Sequence, residues 1–410
     1  MIPHVVVVGA GAAGLMAAIG AREAGARVTL LESTADGGRK ILISGGGRCN
    51  VLPSVAAPER FVSDSPRTLV RALLNGWPLR DQRRFFQQDA AVPLALEDES
   101  GKLFPASNRA RDVRDGLVAV ATARGVEFRF QTTVSEVRAA AGAWTLDTPG
   151  GPVVADRVVL ATGGLSVPAT GSDGFGLTLA RRLGHTVHPT YAALTPLTAH
   201  PVVHTGLAGV SLEVSIDAGS ARERATSRGG FLFTHRGYSG PAVLDVSHVA
   251  TRSQWPGAER AAVRVAWTPL DRATWTSYLG SARGLVATAL SAQLPQRLAE
   301  ALVHESGIPP ARPCVQLRRE ERERLLERLT AYVLPWTGDE GYRTAEVTGG
   351  GVALDEVQRA TLESKRAPGL HLCGELLDAF GPIGGHNFNW AWSTGRMAGL
   401  GAGRGSTHDR

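Results

Sequence analysis

Cysteine and lysine are both scarce in this 410-residue chain. Its three cysteines, Cys49, Cys314 and Cys373, lie far apart, and no C-x-x-C occurs. That excludes a zinc ribbon and a thioredoxin-like dithiol, and no metal site is expected. With no targeting segment, a reducing cytoplasm is the expected compartment. Long apolar runs are also missing. Residues 5–21 carry no charge, but four glycines interrupt them, no basic segment precedes them, and Arg22 and Glu23 follow. Neither a signal peptide nor a bilayer span reads that way, so a soluble protein is expected.

Lys40, Lys102 and Lys365 are the only lysines, so the net charge of +6 rests on arginine. The densest charged run, Arg318-Arg319-Glu320-Glu321-Arg322-Glu323-Arg324, alternates in sign. It places Glu320 and Arg324 at helical i,i+4 spacing. A solvated helix face explains it better than a nucleic-acid groove, so nucleic acid is not the expected partner. Hydrophobic residues at 43% and charged residues at 20% are an ordinary globular balance. The length allows two or three domains.

What the chain does have stands at its start. Val5-Val6-Val7-Val8 suits a strand covered on both faces, as in parallel sheets. It runs into Gly9-Ala10-Gly11-Ala12-Ala13-Gly14, a G-x-G-x-x-G turn, and then a helix over about 13–24. Gly9 allows the tight turn, Gly11 lets a pyrophosphate approach bare backbone, and Gly14 packs helix on strand. The N–H groups at Ala12 and Ala13 would face the phosphates, where the helix dipole favours negative charge. A second strand, 27–31, ends at Glu32, placed to accept from an adenosine ribose.

The segment Gly37-Gly38-Arg39-Lys40-Ile41-Leu42-Ile43-Ser44-Gly45-Gly46-Gly47-Arg48-Cys49-Asn50 follows. So many glycines are costly in a regular element. They suit a backbone pressed against a flat ligand or curled around an anion. Arg39, Lys40 and Arg48 add cationic donors there. Helices are predicted from about residue 65, over 79–88 and over 110–124. Strands are predicted over 126–130, 133–137, 143–146 and 153–154. Val158 to Ala161 then enters a second glycine turn at Thr162-Gly163-Gly164.

Between about 190 and 340 the pattern changes. Ser211 to Asp217 alternates as a half-buried strand, and further strands are predicted over 229–234 and 262–267. Helices are predicted from about 275 to 334. The reading is an inserted β domain, 191–270, with a helical lobe, 271–340. The cofactor domain would then be discontinuous, 1–190 plus 341–410. At the C-terminal end a strand over 370–378 leads through Cys373-Gly374-Glu375 to Asp378. Gly381-Pro382-Ile383-Gly384-Gly385-His386-Asn387-Phe388 then opens a last helix. Asp378 would accept from a ribityl hydroxyl, or else cap a helix. The first N–H groups of the last helix would stabilise charge on a flavin's N1–C2=O edge.

These motifs, with Ala345-Glu346-Val347-Thr348-Gly349-Gly350-Gly351-Val352 and Glu363-Ser364-Lys365, resemble those of the BaiN/YhiN-like bacterial flavoproteins. That group lies within the two-dinucleotide-binding-domain flavoprotein superfamily. The resemblance implies an α/β fold: a Rossmann-like FAD-binding domain built from both chain ends, with an inserted β-rich domain and a small helical lobe. It implies FAD and an oxidoreductase activity; some relatives reduce carbon–carbon double bonds in steroid-like substrates. By motif, Gly9, Gly11, Gly14 and Glu32 match the ADP-binding turn and ribose acid, and Arg39 and Lys40 the basic pair beside phosphates or adenosine. Ser44, Gly45, Gly46, Arg48, Cys49 and Asn50 match a loop near the isoalloxazine. Val134 falls in the strand whose backbone meets adenine, and Thr162 and Gly163 match the second turn. Gly374, Asp378, Gly385, His386, Asn387 and Phe388 match the C-terminal flavin motif. Where relatives often carry tyrosine, this chain has His386.

Reduced flavin would pass hydride to or from an activated carbon–carbon bond of a small molecule. His386 is a candidate proton donor because free histidine titrates near neutrality, and Arg48 is a candidate to polarise a carbonyl. Cys49 reads as a small buried residue more readily than as a redox thiol. No second G-x-G-x-x-G is present, so NAD(P)H, as a transient reductant, would dock on the flavin directly. Two alternatives stand beside this reading: a flavoprotein that acts on or binds RNA, and a non-catalytic FAD-binding sensor.

Overall fold

The computed structural model describes residues 2–140, 142–220 and 223–404. The last residues of the expected cofactor domain, 405–410, lie outside the described residues. The chain forms two compact units, Met1–Thr190 with Val347–Arg410, and Tyr191–Glu346.

The first unit is built on a five-stranded parallel sheet. Its strands are β1 (His4–Val8), β2 (Arg27–Leu31), β3 (Glu127–Arg129), β4 (Arg157–Leu160) and β5 (Leu370–Leu372), in the order β5-β4-β1-β2-β3. β1 is central: Val6 sits opposite Thr29 of β2 and Val158 of β4. Burial on both faces is why its four consecutive valines are tolerated. The helices that matter here are α1 (Ala12–Glu23), α2 (Arg39–Ile43), α3 (Arg67–Asn75), α4 (Leu79–Arg84), α5 (Ala110–Ala123), α6 (Phe175–Arg182) and α7 (His386–Arg404). α1 and α7 join the two ends of the chain along a seam of small residues. A Cβ at Gly395 would lie 2.3 Å from the Ala13 carbonyl oxygen, and one at Gly399 would lie 2.0 Å from that of Ala17.

Several sequence-predicted elements move. The strand predicted over 133–137 begins only at Glu136, which leaves Val134 in the preceding loop. The strand predicted over 370–378 stops at Leu372, because Gly374 turns the chain with φ +73°. The helix predicted over 79–88 is α-helical to Arg84 and then widens into a π-turn over Phe85–Asp89. Within the Gly37–Asn50 segment, Arg39 to Ile43 form the short helix α2, with Ile41 buried and Ile43 exposed.

The second unit carries a seven-stranded antiparallel sheet. Its long strands are Ser211–Gly219 and Arg224–Phe233, and its edges are Tyr332–Val333 and Gly338–Asp339. Helices Arg272–Ser281, Val286–Ser291, Gln296–Glu305 and Arg319–Thr330 lie between the inner strands and these edges in sequence. Sheet and helices share one hydrophobic core, in which Phe231 and Phe233 from a strand and Trp267, just beyond the strand Ala262–Ala266, join Trp275, Leu298 and Leu325 from the helices.

Candidate cofactor site

The turn between β1 and α1 separates its glycines by task. Gly9 has φ +99°, and a Cβ there would lie 2.6 Å from the Ala161 carbonyl oxygen. A Cβ on Gly14 would lie 1.8 Å from the Gly9 carbonyl oxygen. Both are required by the protein's own packing. Gly11 is not: its φ is −74°, and a Cβ there meets nothing within 4 Å. The open space it faces stands at the N-terminus of α1, where no side chain caps the helix and no acidic residue occupies the first turn. The leading N–H groups, at Ala12 and Ala13 among them, are therefore left for an anion.

Glu32 is buried at the end of β2. Its Oε2 accepts from the Ala10 N–H at 2.8 Å. Its Oε1 accepts from the Thr34 N–H at 2.8 Å and the Thr34 hydroxyl at 2.7 Å. Both oxygens are braced, and the remaining acceptor capacity of Oε2 suits a ribose hydroxyl.

The three cations of the glycine-rich segment are not free. Arg39 Nε donates to Asp36 at 2.9 Å. Lys40 Nζ donates to Glu375 at 2.6 Å and to the Ser166 hydroxyl at 2.6 Å. Arg48 pairs with Glu97 at 3.0 Å and stacks 4.1 Å over the Phe104 ring. Arg39 and Lys40, the basic pair expected beside phosphates or adenosine, are thus each paired with a carboxylate of the protein itself. Glu375 lies 335 positions from Lys40, a separation that no local pattern reveals.

Glu375 ties Lys40 into a buried network. Its Oε1 accepts from the Thr348 N–H at 2.9 Å and the Thr348 hydroxyl at 2.8 Å, and also from Ser166 Oγ. Thr348 Oγ1 in turn accepts from the backbone N–H groups of Leu165, at 2.7 Å, and Ser166, at 3.1 Å. Burial raises the Glu375 pKa, but the Lys40 charge and the donated hydrogen bonds outweigh it, so the carboxyl lies below its ordinary range. Sequence reading missed Glu375, Ser166 and Thr348 as a group. A carboxylate at the end of a buried strand, in a chain with three lysines, was the available signal.

Loop 44–50 curls through left-handed backbone at Gly45, Gly46 and Gly47, with φ +55°, +67° and +85°, and at Cys49, with φ +59°. Cβ atoms at Gly46 and Gly47 would meet nothing within 4 Å, so this backbone faces open space. Ser44 holds the loop by donating to the Ile41 carbonyl at 2.7 Å. Burial pushes the Cys49 thiol up to about 12, which makes it a packing group rather than a thiolate. Native protein at pH 8 is expected to resist alkylation at Cys49 by iodoacetamide. Peptide mass spectrometry showing rapid modification there would overturn that assignment.

At the second turn, Gly163 has φ +72° and packs against Ser172, where a Cβ would lie 2.9 Å from Oγ. At the C-terminal motif several expectations change. The Gly374 N–H donates to Thr394 Oγ1 at 3.0 Å, and its carbonyl accepts from Trp390 Nε1 at 3.0 Å, so α7 uses both groups. Asp378 Oδ2 accepts from the Asp64 N–H, the Ser65 N–H and the Ser65 hydroxyl, each at 2.9 Å, and from Ser63 Oγ at 3.0 Å. It secures the 63–65 turn ahead of α3 through this one oxygen, and burial raises its pKa. Asn387 forms a two-way amide pair with Gly381, 2.9 Å in each direction, and so holds the loop before α7. Gly385 must be glycine because a Cβ would lie 2.6 Å from the Leu52 backbone. Phe388 stacks on Trp392 at 5.2 Å.

His386 is buried beside Phe61, with ring centroids 6.1 Å apart in an edge-on pair. Burial, and then the charge of Arg60, push its pKa down to about 4. The sequence argument that histidine titrates near neutrality is thereby corrected: at neutral pH this ring is uncharged.

Buried side-chain polar atoms without a hydrogen-bond partner include Asn50 Oδ1, Thr162 Oγ1 and His386 Nδ1. Such atoms are rare in native structures and call for a partner. These three come from the three segments expected to meet the cofactor. Together with the open glycine backbone at 11, 46 and 47, they fit a flat ligand with polar edges and a diphosphate. Among the described residues no cluster of three or more His, Cys, Asp or Glu side chains could hold a metal, and no helix is long and apolar enough to cross a membrane.

A parallel sheet with a glycine turn, a buried acid at the end of the second strand and a second glycine-rich loop defines an FAD-dependent oxidoreductase of the Rossmann type. The chain belongs to the HI0933-like family, whose Rossmann-domain model matches residues 3–401. It is 36% identical over 403 residues to a protein named ribosomal RNA dihydrouridine synthase from Escherichia coli K12, covering 95% of each chain. It is 32% identical over 401 residues to a protein of the same name from Haemophilus influenzae, covering 95% of this chain and 96% of that one. It is 31% identical over 405 residues to a 3-dehydro-bile acid delta(4,6)-reductase from Clostridium scindens, covering 97% of this chain and 98% of that one.

Proposed function

We propose that this chain uses reduced FAD to saturate a carbon–carbon double bond conjugated to a carbonyl. The relatives' names support this reading. Forming dihydrouridine saturates the uracil double bond beside a carbonyl, and a delta(4,6)-reductase acting on a 3-dehydro substrate removes unsaturation conjugated to a ketone. The two substrates differ in size but share an electron-poor carbon that accepts hydride. The structural observation that carries the reading is the set of three unpartnered buried polar atoms among bare glycine loops.

When bound, FAD supplies the hydride chemistry. The residues of this chain hold and tune it. The N–H groups at Gly11, Ala12 and Ala13 would take the diphosphate, Glu32 the ribose, and loop 44–50 the ring. His386, neutral at pH 7, is suited to donate a hydrogen bond to a substrate or flavin oxygen as charge develops there. It is not suited to act as an imidazolium acid. Arg48, held between Glu97 and Phe104, is better placed to fix the loop than to polarise a substrate. NADH or NADPH would reach the flavin without a domain of its own.

For the substrate we favour a uridine in ribosomal RNA. The E. coli relative shares 36% of its residues with this chain over nearly the whole length. A carbonyl-conjugated small molecule is the second reading, supported by the C. scindens relative. The test is anaerobic incubation of holoprotein and NADPH or NADH with unmodified ribosomal RNA, and separately with a 3-oxo-delta-4 steroid. Nucleoside mass spectrometry showing uridine gaining two hydrogens is the expected result. Steroid reduction without dihydrouridine would select the second reading. Flavin that is reduced by nucleotide but passes hydride to neither would overturn conjugate reduction.

A further inference from the structure

Positive charge is concentrated in one stretch of the first unit. Residues 67–84 hold Arg67, Arg71, Arg80, Arg83 and Arg84 against a single carboxylate, Asp81, in a chain whose net charge is +6. The stretch is α3 and α4, joined by residues 76–78. The apolar side of α3 is turned inward: Val70, Leu73 and Leu74 are buried. Gln82 of α4 donates to the Trp77 carbonyl at 2.6 Å, and to Asn389 at 2.8 Å and Ser393 at 3.1 Å on α7. All five arginines are exposed. Arg67 and Arg71 are one turn apart on α3, and Arg80 and Arg84 one turn apart on α4.

Other surface arginines are neutralised locally, as Arg109 is by Asp112, Arg138 by Asp147 and Arg182 by Glu136. On this face Arg80 and Arg84 share Asp81, at 3.5 and 3.4 Å. Arg67, Arg71 and Arg83 have no ion-pair partner among the described residues. Like charges at helical spacing repel, a cost that a polyanion would remove. The face also starts at the site: Phe61, six residues ahead of Arg67, is the ring that packs edge-on against His386.

We infer that the outer faces of α3 and α4 carry the phosphodiester backbone of a single-stranded RNA segment while one of its bases enters the cofactor site. This rests on the RNA reading above. A base must leave its stack to be reduced, which favours a loop or unpaired segment. Guanidinium groups suit its phosphates because each forms a planar, two-pronged donor. An anionic membrane is the weaker match. A helix lying on lipid needs an exposed apolar face, and none of the exposed large hydrophobic side chains falls between residues 60 and 90.

The experiment uses FAD-loaded full-length protein and a labelled, unmodified ribosomal RNA fragment, with anisotropy read between about 50 and about 200 mM salt. Wild-type affinity is expected to fall linearly on log–log axes. Arg67→Gln/Arg71→Gln/Arg83→Gln is expected to flatten that slope by about 2, at about 0.7 per single-strand phosphate contact. The matching triple lysine variant should keep most of the slope. FAD occupancy and flavin bleaching by NAD(P)H should be the same in all three proteins. An unchanged slope in the glutamine variant would overturn the face while leaving the RNA reading intact. Wild-type binding without salt dependence would overturn it as well. If the variant loses binding only to phosphatidylserine vesicles, the face is a lipid surface and the inference is wrong. Dihydrouridine formation, measured separately, tells failure of the face from failure of the RNA reading.

Discussion

Gly11→Val is expected to purify as a folded protein without FAD, whereas Gly14→Val is expected not to fold. The two positions lie three residues apart in one motif, and the difference between them is steric. At Gly14 the first side-chain carbon would sit 1.8 Å from the Gly9 carbonyl oxygen, against backbone that β1 and β4 hold in place. Relieving that overlap means separating α1 from the sheet, at more than the roughly 1–3 kcal/mol of ordinary overpacking. At Gly11 the backbone is already extended, with φ −74° and ψ −171°, and nothing lies within 4 Å of the new carbon. Valine therefore costs the apoprotein little and fills the space where a diphosphate would meet the N–H groups of α1. Losing two charge-assisted hydrogen bonds of about 1.5–3 kcal/mol each weakens FAD binding by about a hundredfold or more. Visible absorbance, circular dichroism and the Tm of both apoproteins check the pair. Full FAD occupancy in Gly11→Val would remove the diphosphate from that turn. Gly46→Val is a less clean test, because φ +67° there strains any side chain.

The second large effect is expected at Lys40. Replacing it with methionine leaves Glu375 without its cation while Ser166 and Thr348 still hold the carboxylate in place. Removing one partner of a buried pair costs about 3–5 kcal/mol, and the lower end applies because 26% of the Lys40 side chain remains exposed. At about 2–4 °C per kcal/mol for a unit of this size, Tm should fall by roughly 6–12 °C at pH 7. Lys40→Met/Glu375→Gln should recover a good part of that loss, because the stranded charge is gone.

The pH dependence has a definite sign. In the parent protein the folded Glu375 pKa lies below the unfolded value. Its stabilisation is therefore present above the unfolded pKa of about 4.3 and is lost as pH falls through the folded pKa. In Lys40→Met, burial is opposed only by the Ser166 and Thr348 hydrogen bonds, so the folded pKa rises relative to that of the parent. The variant then gains stability relative to the parent on acidification. The Tm gap should narrow from pH 7 towards pH 4. A gap independent of pH would show that Lys40 acts by packing its methylene chain alone.

Much of the cofactor half could be read without coordinates because its rules are local. Four valines, three glycines at fixed spacing and an acid at the end of the next strand specify β1, α1 and β2, and each is found within a residue of its predicted bounds. The alternation over 211–217 likewise marks a strand of the second unit. A period of two or of 3.6 is a property of neighbouring residues, so burial on one face writes it into the chain.

What the chain order could not show is which groups meet across long separations. Asp378 looked available to a ligand, but four donors from residues 63–65 reach it in space. Lys40 read as a cation beside phosphates or adenosine, and its partner Glu375 lies 335 positions away. His386 looked titratable near pH 7 until burial against Phe61 lowered its pKa. The arginines of α3 and α4 were too widely spaced to register as a run, and the fold leaves all five exposed while Val70, Leu73, Leu74 and Gln82 are buried. Sequence alone determined the α/β class, the glycine turn between β1 and α1, and the acid at the end of β2, since each depends on backbone conformation and side chains within about thirty residues. Tertiary structure alone decided which charges are paired, which glycines serve packing rather than ligand, and the protonation state of His386, because desolvation and Coulomb energy depend on distance in space rather than along the chain.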